Sequence, residues 1–440
     1  MADDDIGSLN YFTDSTLVTD PYPYLDALRA RGPVTREPHH NVAMITGYDE
    51  ALEVLNDVEN FSSCLSVTGP FPGLPVPVEG RDDVPELIEK YRDGLPLSDQ
   101  LPCLDPPVHT DHRALLMRLI TPKRLKENED AMWSLADRVL DTYLTPDANG
   151  VASGDVIADF IGPFTLYVIA DLLGVPEDDQ QEFLHALQRG GHHQEGGGLG
   201  STEGEAMAHN PIEFLYGRFS SYVEDRRREP TGDVLTSMAT ATFPDGSEPT
   251  VLDVVRVAVN LFSAGQETTV RLVSNALKLL ADDPELQRYL RADRSRIPNF
   301  LEEVLRTESP VKGDFRLSKV PTTVGGVDLP SGTIVLVSNG AANRDPRKFE
   351  DPSRFDAARS NARTHIAFGR GPHTCPGAPL ARAEARVALE RILDRTTDLR
   401  IVESVHGPAG ARKFDYLPTF ILRGLMSLHM EFDLVEVAAR

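Results

Sequence analysis

Residues 368–377 read FGRGPHTCPG, three glycines and two prolines around one cysteine, in a chain of 440 residues that has only three cysteines. The segment that follows, APLARAEARVALERIL, has a strong helix pattern. Cys375 is therefore expected just ahead of a helix N-terminus, where Pro376 and Gly377 suit the helix start. Free backbone N–H groups and the helix dipole stabilise a thiolate at such a place. Gly369, Gly371 and Gly377 would let the backbone approach something flat and bulky without side-chain obstruction.

The composition, 40% hydrophobic and 25% charged, belongs to a globular chain. The N-terminus MADDDIGSLNYFTD is acidic where a signal peptide would be basic and then apolar, and no long apolar run spans a bilayer. A cytoplasmic protein without membrane attachment is expected. A net charge of -24 argues against nucleic acid as the main partner, because phosphate binding needs clustered Lys and Arg. Cys64, Cys103 and Cys375 are odd in number and far apart, which supports neither a disulfide framework nor a thiolate zinc site.

Working outward, the pattern predicts a mainly α chain with a small β region, one domain over residues 1–440. AMIT at 43–46 is strand-like, and the Gly/Pro-punctuated 66–80 is a loop. Helical periodicity dominates from about residue 110 to 290, interrupted by the glycine-dense 189–205, a loop that would serve as a lid. Residues 316–340 read as hairpins, and a second β patch is expected near 415–436. Residues 251–280 form one long apolar run, about 45 Å as a single helix. Its centre is AGQETT, residues 264–269, where an acid and two threonines interrupt the apolar pattern.

For Cys375 the residues alone leave three readings: an inert buried thiol, a nucleophile with His373 or His365 as base, or a thiolate ligand to haem iron. The sequence resembles the cytochrome P-450 haem-thiolate monooxygenases, in particular the bacterial members that use a ferredoxin. That family's cysteine loop, Phe-x-x-Gly-x-(His or Arg)-x-Cys-x-Gly, is filled here by Phe368, Gly371, His373, Cys375 and Gly377. Its Glu-x-x-Arg matches Glu303 and Arg306, and its meander arginine is assigned to Arg354. The resemblance is weakest in residues 61–103 and 185–210.

The resemblance implies a fold that holds haem b, iron protoporphyrin IX, between the long central helix and the cysteine-loop helix. Cys375 would be the iron ligand, and His109, Arg113, Arg316 and His373 would seat the two propionates. Glu303, Arg306 and Arg354 would form a buried brace. Ala264 and Gly265 would flank the cofactor in the oxygen-binding kink, and Glu267 and Thr268 would manage the protons that splitting dioxygen requires. The chain has no flavin or iron–sulfur segment, so electrons would come from a ferredoxin and its NAD(P)H-dependent reductase. The ferredoxin would dock on a helix carrying Arg113, Arg118, Lys123, Arg124 and Lys126, with Arg370 beside it.

The expected reaction is hydroxylation of an unactivated C–H bond by O2, in a monomer. The substrate wall, Leu261, Ala264, Gly265, Val311 and Leu425, is apolar, which favours a norisoprenoid or other cyclic terpenoid. Lys312 could hold a carboxylate, leaving a fatty acid as the alternative, with a steroid as another. From other classes, a haem sensor without catalysis and a cysteine-nucleophile hydrolase remain.

Overall fold

The computed structural model describes residues 3–148, 150–191, 212–243 and 245–435. Its axis is one unbroken helix, Val251–Asp282, whose 32 residues span about 48 Å. Thr250 starts it with a reciprocal capping box: its hydroxyl accepts from the Asp253 N–H, and the Asp253 carboxylate accepts from the Thr250 N–H. Buried apolar residues run along most of its length, because four helices pack around it: Gly162–Leu173, Ile212–Arg228, Ile297–Glu308 and the cysteine helix, Ala378–Arg395. AGQETT does not break the helix. The local irregularity is confined to side chains.

The β structure lies to one side. A five-stranded sheet runs Val34–Arg36, Ala43–Ile45, Ile334–Val337, Asp314–Ser318 and Phe61–Ser62 in spatial order. A hairpin, Thr322–Val324 with Val327–Leu329, turns through Gly325 and Gly326, both at positive φ as a tight two-residue turn demands. The expected hairpin region thus divides between this hairpin and two strands of the larger sheet. A three-stranded sheet pairs His429–Leu434 with Val151–Asp155 and Thr396–Ile401. The last two strands interrupt or follow helical stretches and were not expected. VASGD in particular is too short and polar to stand out from a loop, and depends on His429–Leu434 for its backbone partners.

Two sequence expectations change. Helix Glu177–Gly191 carries regular structure into the glycine-dense segment, and most of the remainder, 192–205, lies outside the described residues. The basic helix expected after His109 is two helices, Val108–Met117 and Pro122–Tyr143, because Pro122 cannot continue the first and starts the second behind its Thr121 cap.

Beneath the cysteine loop, helix Ile297–Glu308 carries two adjacent acids that organise this side of the molecule. Fully buried Glu303 accepts two hydrogen bonds from equally buried Arg306, each 2.8 Å. Its third partner is Arg359, with Nε 2.9 Å from the carboxylate, and the Asp356 N–H closes the set at 3.0 Å. This corrects the assignment of Arg354: its side chain is exposed, and only its carbonyl joins, accepting from Arg306 and Arg359. Five residues further along, Arg359 is buried and reaches the acid. Glu302 meanwhile accepts from Arg382 of the cysteine helix at 2.6 and 3.0 Å and lies 3.0 Å from His365 Nε2. Burial alone would raise the Glu302 pKa, but those partners bring it down to about 2. Arg382 also covers the Phe368 ring at 4.6 Å, tying loop, helix and acid together. On the outer face of the cysteine helix, Arg386 and Arg391 flank the ring of Trp133 at 5.5 and 4.7 Å.

Candidate active site

One cavity lies between the central helix and the cysteine loop. Cys375, Phe368, Gly369, His373 and Gly377 line one wall; Leu261, Ala264, Gly265 and Thr268 line the opposite one. The loop is closed by a 2.8 Å hydrogen bond from the Cys375 N–H to the Phe368 carbonyl. Burial pushes the Cys375 thiol pKa up, opposed by the N–H of Gly377, by Arg113, by the N–H of Ala378 and by Arg382. The three glycines do different work. Gly369 and Gly371 take positive φ, and a Cβ on Gly371 would overlap the Leu55 carbonyl. An added Cβ at Gly377 would meet only the Cys375 sulfur, at 3.8 Å, so this is the glycine that leaves the face beside the sulfur open.

The four expected propionate donors converge on the cavity. Arg113 donates to the Thr374 carbonyl at 2.6 Å, and Arg316 to Ser66 Oγ at 3.1 Å and its neighbour's carbonyl at 2.6 Å. Among the described residues neither forms a salt bridge, although Arg316 is 3% exposed. The His109 and His373 rings lie 4.0 Å apart, and buried His109 Nε2 has no hydrogen-bond partner. Burial, then Arg113, lowers the His109 pKa to about 4; burial, then Arg316, lowers that of His373 to about 2. Buried Arg316 and half-buried Arg113, neither in a salt bridge, beside an orphaned imidazole nitrogen make a costly arrangement alone. A ligand with two carboxylates would satisfy it, so these residues fit a haem with its propionates facing them.

On the central helix the Thr268 hydroxyl donates to the Ala264 carbonyl at 2.7 Å, the back-bond of a polar residue in mid-helix, and still lines the cavity. Glu267 turns away and pairs with Arg271 at 2.7 Å; Arg271 in turn donates to the Leu425 carbonyl at 2.8 Å. Leu425 is fully buried and is not part of the cavity wall, so it leaves the substrate set, whereas Val311 stays. Lys312 is also corrected: it faces neither cavity nor solvent, but donates to the Thr419 carbonyl at 2.5 Å, and burial lowers its pKa to about 7.

Several lining residues escaped the sequence reading. Asp314, one strand alternation from Arg316, accepts from Asn339 at 2.9 Å, and both reach the cavity. Asn260, one of several polar residues in the apolar run, lines it one helical turn before Ala264. Glu384 of the cysteine helix is buried against Thr269; burial raises its pKa to about 8 despite the threonine's hydrogen bond.

Residues 210–397 match the family model described as Cytochrome P450. The cytochrome P450 monooxygenase PikC of Streptomyces venezuelae is 32% identical over 99% of this chain and 96% of its own length. The chain belongs to the cytochrome P450 family. The substrate-free structure of the P450 CYP150A6 from Mycobacterium marinum superposes with a TM-score of 0.89 at 50% identity, covering 97% of this chain and 99% of that one. The P450 CYP109E1 from Bacillus megaterium, in complex with corticosterone, gives 0.76 at 28% identity, with coverage of 94% and 99%. This chain is thus a P450 of the bacterial monooxygenase type, and the cofactor of its family is haem. No helix among the described residues is long and apolar enough to cross a membrane.

Proposed function

We propose that this P450 hydroxylates an unactivated C–H bond in a cyclic, mainly apolar substrate of terpenoid size, with Cys375 as the thiolate that would hold the haem iron. Haem, when bound, supplies the dioxygen chemistry. His109, Arg113, Arg316 and His373 hold its propionates; Phe368, Gly371 and Gly377 shape the loop around the sulfur; Ala264 and Gly265 leave room on the opposite face. Thr268 holds a hydroxyl in the cavity to pass protons, and Glu267, once released from Arg271, takes protons from solvent and hands them on. The observation that carries this reading is that buried Arg316 and half-buried Arg113, neither in a salt bridge, and the orphaned His109 nitrogen face the same cavity as Cys375. A hydrolase accounts for neither that set nor the monooxygenase relatives, and a haem sensor, which would share the set, does not account for those relatives.

An apolar wall of Leu261, Ala264, Gly265 and Val311 supports the terpenoid class. A steroid is the second reading, favoured by the corticosterone complex of CYP109E1. The fatty-acid alternative loses its basis, since Lys312 points elsewhere. For electrons we favour a ferredoxin with its NAD(P)H-dependent reductase. Arg118 and Arg124 donate to neutral acceptors on Thr242 and Ser237 and keep their charge, whereas exposed Lys123 pairs with Glu127 at 3.7 Å, so Arg118, Arg124 and Lys126 form the docking charge. We read the chain as one domain, acting as a cytoplasmic monomer.

The test is the reduced carbon monoxide complex. It should show the strongly red-shifted Soret band of a thiolate-ligated haem, and Cys375→Ser should lose it. Retention of that band by the variant would move the ligand role to another residue.

A further inference from the structure

The central helix turns one polar side chain toward the substrate space without giving it a partner. Asn260 lines the cavity, yet among the described residues its amide makes no hydrogen bond. Its neighbours differ. Arg256, one turn earlier, is held by Asp99 at 2.8 Å, and Thr268, two turns later, is back-bonded to Ala264. Asn260 makes no such back-bond. Asparagine is also a poor helix former beside the leucine that apolar packing would favour at this position. Asn260 is half-buried, so its amide is open to whatever fills the cavity, and a ligand that displaces water there must satisfy it or leave it unpaired at a cost.

We propose that Asn260 reads a neutral oxygen function of the substrate, a ketone or hydroxyl on an otherwise hydrocarbon ring skeleton. This rests on the apolar-substrate reading above and narrows it. An amide both donates and accepts, so it can serve either group, but it gives a carboxylate no charge partner and a hydrocarbon no benefit. The helix rise sets the spacing. Asn260 lies about 6 Å along the axis from Ala264 and about 12 Å from Thr268, so a ligand reaching from Asn260 to Thr268 would span about 12 Å. A substrate held at one end in this way would extend along the helix toward Thr268, which makes Asn260 a residue that determines specificity and regiochemistry.

The experiment compares matched ligand pairs on the haem-loaded protein: a norisoprenoid ketone and its deoxygenated hydrocarbon, and a ketosteroid and its deoxygenated counterpart. Affinities are read by Soret titration and by calorimetry. The oxygenated member of at least one pair should bind about tenfold tighter, the worth of one net hydrogen bond to a buried amide. In Asn260→Leu that ratio should fall to near one, with hydrocarbon affinity kept or improved; Asn260→Gln should retain part of it. Equal affinities within both pairs, a ratio unchanged in Asn260→Leu, or no binding by any of the four would overturn the proposal. Which skeleton binds is a separate outcome: tight steroid and absent norisoprenoid binding would overturn the terpenoid class while leaving Asn260's role standing. The carbon monoxide band, present in both variants, shows independently that the haem site is intact.

Discussion

On the cysteine side of the cavity, Glu302 and Glu303 together gather Arg382, His365, Arg306, Arg359 and a backbone N–H, nearly all of them buried. On the central-helix side the cavity is faced by Leu261, Ala264 and Gly265, and its polar members, Asn260, Thr268 and Thr269, have no ion pair. The first side is over-determined: each acid has several partners from different segments, so removing one leaves charge stranded. The second is under-determined, and its side chains can exchange partners with whatever enters. A rigid seat opposite an adaptable wall lets one cofactor geometry serve many substrates, because variation on one side does not disturb the other.

The hardest blow to the rigid side is Arg359→Ala. It leaves Glu303 with Arg306 and the Asp356 N–H and should cost about 1.5–3 kcal/mol, the usual worth of a hydrogen bond to a buried charge. Denaturant unfolding measures it, and a loss below about 1 kcal/mol would show the brace to be redundant.

Next comes Glu384, where the cysteine helix meets Thr269 of the central helix. Its folded pKa of about 8 exceeds the ordinary 4.5, so the buried group is stable while protonated. Stability from this group is intact below pH 4.5 and is lost as pH rises through about 8, because the unfolded chain releases the proton first. Glu384→Gln should therefore gain on the parent protein progressively across that window. Parallel pH–stability curves for the two proteins would place the ionised form in the fold.

On the adaptable side, Thr268→Ala should change stability by less than about 1 kcal/mol, since it removes only a back-bond within the helix. Haem and substrate affinity should persist, while electrons are diverted to peroxide or water, read as the ratio of product to reductant consumed. Unchanged coupling would leave the hydroxyl with a structural role alone. The smallest effect is expected from Arg354→Ala, within about 0.5 kcal/mol, because its side chain is exposed and its contribution is a carbonyl that every residue has. Together with Arg359→Ala it separates the two arginines most directly.

The contrast also governs what could be read before the fold was known. Cys375, Glu303, Arg306 and the four basic donors stand at fixed spacings because rigid buried charge tolerates little variation in position. The central helix was legible from its length and apolar density. Arg354 was mistaken for Arg359 because spacing along a meander without regular structure does not say which of two nearby arginines turns inward. Leu425 and Lys312 were misplaced for a related reason: in an irregular segment, an apolar or cationic residue gives no periodicity from which its direction can be deduced. The strand Val151–Asp155 could not be seen because its partner lies nearly three hundred residues away.

Trp133 is the chain's only tryptophan, and it sits between two guanidiniums on the outer face of the helix that begins beside Cys375. Its fluorescence therefore has a single origin, packed against the helix that would carry the haem ligand. Because indole emission overlaps porphyrin absorption, light absorbed at Trp133 drains to the cofactor when it is present and is emitted when it is absent. The molecule thus carries its own optical gauge of haem occupancy, and loading can be followed in real time, in dilute solution, without a label.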